Sequence, residues 1–184
     1  PDILEFLQMR LNSGSERERA RDLFPALWTN NLFMERVIAN ETWSLFCPSI
    51  CPDLTTSYGN DYKKKYIQYE KDGKYKRQLP AQEVWKAVLK CLSETGLPYL
   101  LNKDSCNERN NQANLGTLKG SNLCAEILIY TSPEEIGTCN LASIALGKFV
   151  EPDFNSSNPK FNFQKLDYIF LQIQLLRELN QNFY

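Results

Sequence analysis

The chain of 184 residues contains no histidine. That excludes any Ser–His or Cys–His catalytic pair within it, and any histidine-bearing zinc site. It also lacks an apolar run near the roughly 18 residues that would cross a bilayer, so a membrane span is not expected. Neither sign of charge dominates: 21 Lys and Arg against 22 Asp and Glu leave a net charge of −1. No broad basic footprint therefore marks a nucleic-acid binder. Cysteine is sparse for a disulfide scaffold, with six in the whole chain. What chemistry remains must come from Cys, Asp, Glu, Lys, Tyr or the amides.

Hydrophobic residues make up 42% and charged residues 23%, ordinary globular usage for one domain. The six cysteines are Cys47, Cys51, Cys91, Cys106, Cys124 and Cys139. Their even count, with the glycosylation-like triplets at Asn40 and Asn155, allows a secreted, disulfide-linked reading. Their low density favours a reducing, cytoplasmic setting instead. Pro1 opens directly into a helical pattern. Near the other end, Leu166, Ile169, Phe170, Ile173, Leu176 and Leu179 repeat with a helix period almost to Tyr184. Such a stripe wants a partner surface, and the chain reads as a piece of a larger protein.

Local signals predict alternating helices and short strands, an α/β class. A short helix is expected over 2–11. A charged one is expected over 16–22, started by a Ser15–Glu18 capping box. Asn30 or Asn31 should cap a helix running to Ala39. A further helix is expected over 58–71, with Tyr62, Tyr66 and Tyr69 on one side as half-buried aromatics whose hydroxyls reach water. The clearest helix spans 80–95, between Pro80 and the end-capping Gly96, with Val84, Trp85, Val88, Leu89 and Leu92 along it. Lys103 to Arg109 should be a short helix. Strands are expected at 24–28, 43–47 and 98–101, and apolar runs at 125–130 and 138–145 on either side of a turn at Pro133.

Two segments could hold chemistry. Cys47 and Cys51 are neither a CxxC redox pair nor, without two more ligands, a zinc site, and structural thiols are the simpler reading. Gly120-Ser-Asn-Leu-Cys-Ala-Glu126 differs. In extended backbone Asn122, Cys124 and Glu126 share one face, setting an amide, a thiol and a carboxylate in a row. The same alternation also suits a polar-out strand with a half-buried cysteine, and spacing alone leaves both open. Should the turn at Pro133 make a hairpin, Cys124 and Cys139 would approach one region.

Asn114-Leu-Gly-Thr-Leu-Lys-Gly-Ser-Asn-Leu-Cys-Ala-Glu-Ile127, followed by Thr138-Cys-Asn-Leu-Ala-Ser143, resembles the catalytic core of the class I ribonucleotide reductase large subunit, in its eukaryotic wording. Arg19-Ala-Arg-Asp-Leu-Phe24, Leu32-Phe-Met-Glu-Arg-Val37, Trp43-Ser-Leu-Phe-Cys-Pro48, Glu94-Thr-Gly-Leu-Pro-Tyr99 and Lys103-Asp-Ser-Cys-Asn107 extend the resemblance, in order, over nearly the whole chain. It implies that residues 1–184 are a segment of a ten-stranded α/β barrel with a central finger loop. Cys124 would lie at the loop tip and, as a transient thiyl radical, take hydrogen from C3′ of the ribose. Asn122 would hold the sugar hydroxyls, with Leu123 alongside in the substrate site. Glu126 would be a poorly solvated base toward the 3′-hydroxyl. Cys139 would be one of two thiols that reduce the 2′ position and end as a disulfide.

The resemblance further implies a ribonucleoside diphosphate substrate and a radical supplied by a separate metal-containing small subunit. It implies thioredoxin or glutaredoxin as reductant, a homodimeric parent, and ATP- or dATP-type effectors bound elsewhere in that parent. No metal or cofactor is expected on this segment. The second reducing cysteine, the effector loops and most of the phosphate framework have no counterpart among the matched motifs, so the segment by itself is expected to be inactive. The alternative to this reading is a noncatalytic α/β interaction module whose cysteines are buried in closed core.

Overall fold

A computed structural model of the chain describes residues 1–152 and 158–181, with side chains as far as 176. The triplet at Asn155, and the last apolar positions Leu179 and Tyr184, lie outside the described residues and side chains. Two units, Pro1–Gly137 and Thr138–Tyr184, are each compact in themselves.

In the first unit α1 (Ile3–Gln8) leads into a single 3-10 turn at Glu16–Glu18, not the charged helix expected over 16–22. The Ser15 hydroxyl accepts from Arg17 N rather than from Glu18 N, and Arg21 folds back on Glu16, so the turn closes on itself. β1 (Ala26–Thr29) is an apolar run held between Pro25 and the helix cap Asn30. α2 (Asn31–Ala39) starts where the Asn30 Oδ1 accepts from Phe33 N at 2.9 Å, and ends at Asn40 in the left-handed region. β2 (Thr42–Leu45) follows, then the single turn α3 (Asp53–Thr56) and α4 (Gly59–Lys71).

β3 (Arg77–Pro80), unexpected from the sequence, pairs antiparallel with β2 from Thr42↔Pro80 to Leu45↔Arg77. α5 (Ala81–Thr95) ends at Gly96, whose φ of 73° is the left-handed cap that glycine adopts without steric cost. β4 (Tyr99–Asn102) lies parallel to β1, Ala26 opposite Tyr99, and runs straight into α6 (Lys103–Glu108).

The core forms where these pieces meet. Phe33 and Val37 of α2 pack on Leu45, Leu79, Ala81 and Val84, while Leu7, Val88 and Cys91 join α1 to α5. Leu89 faces solvent instead of the core, and Cys91 fills the buried position, its thiol donating to the Leu7 carbonyl at 3.2 Å. Tyr62 and Tyr66 of α4 are buried, contrary to the half-buried setting expected. The Tyr66 hydroxyl does not reach water: it donates to Ser44 O at 2.9 Å and accepts from Ser44 N at 2.7 Å, pinning α4 to β2. Beside it Arg36 makes a two-pronged ion pair with Glu70, both contacts 2.6 Å, over the Tyr66 ring. Burial works against the Glu70 charge, but hydrogen bonds from Arg36 and Ser44 prevail and hold its carboxyl below the ordinary carboxylate range.

The second unit holds a 3-10 turn at Leu146–Phe149, the antiparallel pair β5 (Val150–Glu151) and β6 (Lys160–Phe161), and α7 (Phe163–Gln181). Phe149 is buried with its ring 6.0 Å from that of Phe161. On α7 Leu166, Ile169 and Ile173 are half-buried, whereas Phe170 and Leu176 of the expected stripe are exposed. Neither 125–130 nor 138–145 is a strand. Among the described residues the strands form three two-stranded ladders, so the chain is α/β without a closed barrel.

Candidate active site

α6, which leads into the 110–130 loop, carries three buried polar residues, Lys103, Asp104 and Asn107. At the shared C-terminal end of the parallel strands, Asp104 points back into the body, 2% exposed. Its Oδ2 accepts from Asn31 N at 2.7 Å and its Oδ1 from Gly59 N at 2.8 Å, so one carboxylate serves the starts of both α2 and α4. Carboxylates suit helix starts because the first N–H groups have no partner in the helix and carry partial positive charge. Next to it the Lys103 ammonium donates to Leu54 O at 2.6 Å and sits 4.9 Å from the centre of the Tyr62 ring. Burial pushes Lys103 down to about 8, against the pull of Asp104 in the other direction.

Asn107, one turn further, faces the loop. Its Oδ1 accepts from Leu118 N at 2.8 Å, while its Nδ2 donates to Leu118 O at 3.2 Å and to Lys103 O at 2.9 Å. Leu118 is 1% exposed. The loop is then closed on itself at two levels. At the base, Gln112 Oε1 accepts from Tyr130 N at 2.7 Å, and Asn110 holds Gln112 N and Gly116 O. Gly116 is needed there, because a Cβ would stand 2.5 Å from the Tyr130 ring. Near the tip, Ser121 Oγ donates to Ile127 O at 2.6 Å, and Asn122 Oδ1 accepts from Ile127 N at 3.0 Å.

Asn122, Leu123, Cys124 and Glu126 all lie on this tip and all are exposed. The tip is a turn rather than extended backbone: Ala125 N donates to Asn122 O at 3.1 Å, and Ala125 adopts φ 65°. The strict alternation of an extended strand, which would set the three side chains on one face, is therefore replaced by a turn that carries all three. A positive φ on alanine is disfavoured by roughly 1–2 kcal/mol, offset here by the hydrogen bonds on either side. Asn122 spends its carbonyl on the turn, leaving its amide donors outward. Glu126 is exposed, so the poorly solvated setting expected for it is not formed by the described residues. Two hollows of the same unit, one lined by Arg36, Glu41, Thr42 and Glu70 and one by Trp43, Phe46, Cys51 and Tyr66, do not include residues 122–126.

Cys139 stands in the second unit, exposed and outside regular structure. All six cysteines are free thiols, against the disulfide-linked reading. Cys51 and Cys91 are buried, and burial pushes the Cys51 and Cys106 thiols up, the behaviour of packing residues. Cys124 is exposed rather than set in closed core. Among the described residues no cluster of three or more Cys, Asp or Glu could hold a metal ion, and no helix is long and apolar enough to cross a membrane.

What sequence reasoning missed is the trio Lys103, Asp104 and Asn107. Read as a short polar helix it looks solvated. The signal was its place, directly after an apolar strand with no loop between, where side chains at the helix start turn inward.

Residues 1–179 match the family model described as ribonucleotide reductase, barrel domain. The chain is 52% identical over 165 residues to a ribonucleoside-diphosphate reductase large subunit of Plasmodium falciparum, and 50% identical over 165 residues to that of Danio rerio. Each alignment covers 90% of this chain and 20% of the relative. The large subunit of Arabidopsis thaliana is 46% identical over 199 aligned positions, covering 100% of this chain and 24% of the relative. The chain thus spans about a fifth of the length of the curated relatives it matches.

Proposed function

The chain belongs to the ribonucleotide reductase barrel-domain family, and from that premise we propose that it is the part of a ribonucleoside-diphosphate reductase large subunit that carries the radical thiol. The observation that supports this most is the tip turn, where Cys124 stands exposed between Asn122 and Glu126 on a loop closed at base and neck. In this reading the substrate is a ribonucleoside diphosphate whose ribose meets the tip. The Cys124 thiyl takes the C3′ hydrogen atom, forming S–H and leaving a carbon radical. An S–H bond is comparable in strength to the activated C–H bond, so the transfer is nearly balanced and reversible. Glu126 accepts the 3′-hydroxyl proton, and the outward Asn122 amide donors hold the sugar hydroxyls.

Loss of the 2′-hydroxyl as water is completed by two electrons and two protons from a pair of thiols, one of them Cys139, which end as a disulfide. Cys124 recovers its radical when the hydrogen returns to C3′. The initiating radical comes from a separate, metal-containing small subunit, and thioredoxin or glutaredoxin reduces the disulfide. Effector nucleotides bind elsewhere in a homodimeric parent. The exposed tip calls for cover from the rest of that parent, since a thiyl radical survives only away from water and stray donors.

A single turnover of the complete protein with its radical subunit, no external reductant being added, tests these roles. The expected result is one deoxynucleotide per disulfide, with Cys139 in the disulfide and Cys124 recovered as free thiol on peptide mapping. Product formed with Cys139 still free, or with Cys124 in the disulfide, refutes the assignment.

A further inference from the structure

We infer that Asn107 is a positioning residue for the Cys124 tip, a role that rests on the reading of Cys124 above. The loop from Gln112 to Tyr130 is a closed unit: Gln112 and Gly116 join its two arms at the base, and Ser121 and Asn122 join them near the tip. A closed unit moves as a body, so its aim depends on how it is tied to the helical frame. Two side chains make that tie on either side of the Thr117–Leu118 bond. Thr117 Oγ1 donates to Thr56 O at 2.9 Å in an exposed contact. Asn107 provides the buried one, itself 3% exposed, gripping both the N–H and the carbonyl of Leu118 as a neighbouring strand would.

Its third bond, to Lys103 O, fixes the amide plane against α6. α6 is in turn fixed by Asp104 to α2 and α4. The path from frame to thiol is thus α6, Asn107, Leu118, then six residues of closed loop to Cys124. Truncating Asn107 leaves a buried N–H and carbonyl without partners and frees the loop to pivot about Thr117. A shift of about 1 Å at a reacting atom is enough for a loss of around 100-fold in the chemical step.

The test uses the complete protein with its radical subunit, reducing cytidine diphosphate. Asn107→Ala should lower kcat about 100-fold while KM stays within twofold. Asn107→Ser, which keeps one short hydroxyl, should fall between. Val88→Ala, a core truncation away from the loop, serves as a comparison of equal or greater loss in Tm and should keep its kcat. Cys124→Ser, run alongside, should have no turnover. The inference is overturned if Asn107→Ala keeps kcat within threefold of wild type, or if Val88→Ala loses as much kcat at the same Tm. It is likewise overturned if both Asn107 variants fail to fold while Val88→Ala folds, which would make the role structural. Those three results leave the reading of Cys124 standing. Turnover by Cys124→Ser removes both.

Discussion

Replacing Asp104 by alanine takes one carboxylate away from two helix starts at once. The native side chain accepts from Asn31 N at 2.7 Å and from Gly59 N at 2.8 Å in a site 2% exposed. Hydrogen bonds to a charged group contribute roughly 1.5–3 kcal/mol each, and a lost cap alone about 1 kcal/mol. Asn30 still caps α2 through Phe33 N, which limits the loss at that end. Water entering the smaller side chain's space limits it further, so about 4 kcal/mol is expected for Asp104→Ala. For a chain of this length that corresponds to a fall in Tm of roughly 8–16 °C. Asp104→Asn retains one acceptor but sets an amide N–H against the other backbone donor, and should lose about half as much. Thermal unfolding followed by circular dichroism measures both. A loss below about 1 kcal/mol for the alanine variant, or an asparagine variant as damaged as the alanine one, would refute the double-cap argument.

Lys103 is held near 8 by burial, so the unfolded chain binds more protons than the folded one between pH 8 and the ordinary lysine value. Stability should therefore rise from about pH 8 to pH 10 in urea titrations, and Lys103→Met should remove that rise. Above pH 10 the trend should reverse, because burial pushes the Tyr62 and Tyr66 phenols well above their usual range and only the unfolded chain ionises there. Tyr66→Phe strips both hydrogen bonds from the Ser44 backbone and should cost about 1–3 kcal/mol by the same urea assay. Brief alkylation of the native 184-residue chain should label Cys124 and Cys139 first and Cys51 and Cys91 last, read by peptide mapping; the reverse order would contradict the exposed tip.

Local signals carried α2 and α5, though not the charged helix expected over 16–22. Asn30 and Gly96 mark helix ends through a side-chain oxygen or backbone freedom, so α2 and α5 were legible within a residue or two. β3 was not, because Arg77-Gln-Leu-Pro80 has no strand pattern of its own and is a strand only by pairing with β2, more than thirty residues earlier. The apolar runs at 125–130 and 138–145 failed for the opposite reason. Their composition suits strands, yet in the first run the Gln112 and Ser121 side chains take up backbone groups at Tyr130 and Ile127 that a ladder would need; nothing in the structure explains the second. The placing of Asn122, Cys124 and Glu126 together on one loop was an expectation of the family resemblance, which spacing alone left open. Their geometry was not legible, since the turn at Ala125 depends on hydrogen bonds between positions that spacing alone does not join.

The central claim is that the thiol of Cys124 performs the hydrogen transfer. The most direct measurement is reduction of cytidine diphosphate by the complete large subunit with its radical subunit, comparing wild type with Cys124→Ser. Because the side chain is exposed on a turn and packs in no core, the substitution should leave Tm and nucleotide binding unchanged while abolishing deoxynucleotide formation. Deoxynucleotide formation by Cys124→Ser at a rate near wild type would contradict the account and return the tip to a structural role.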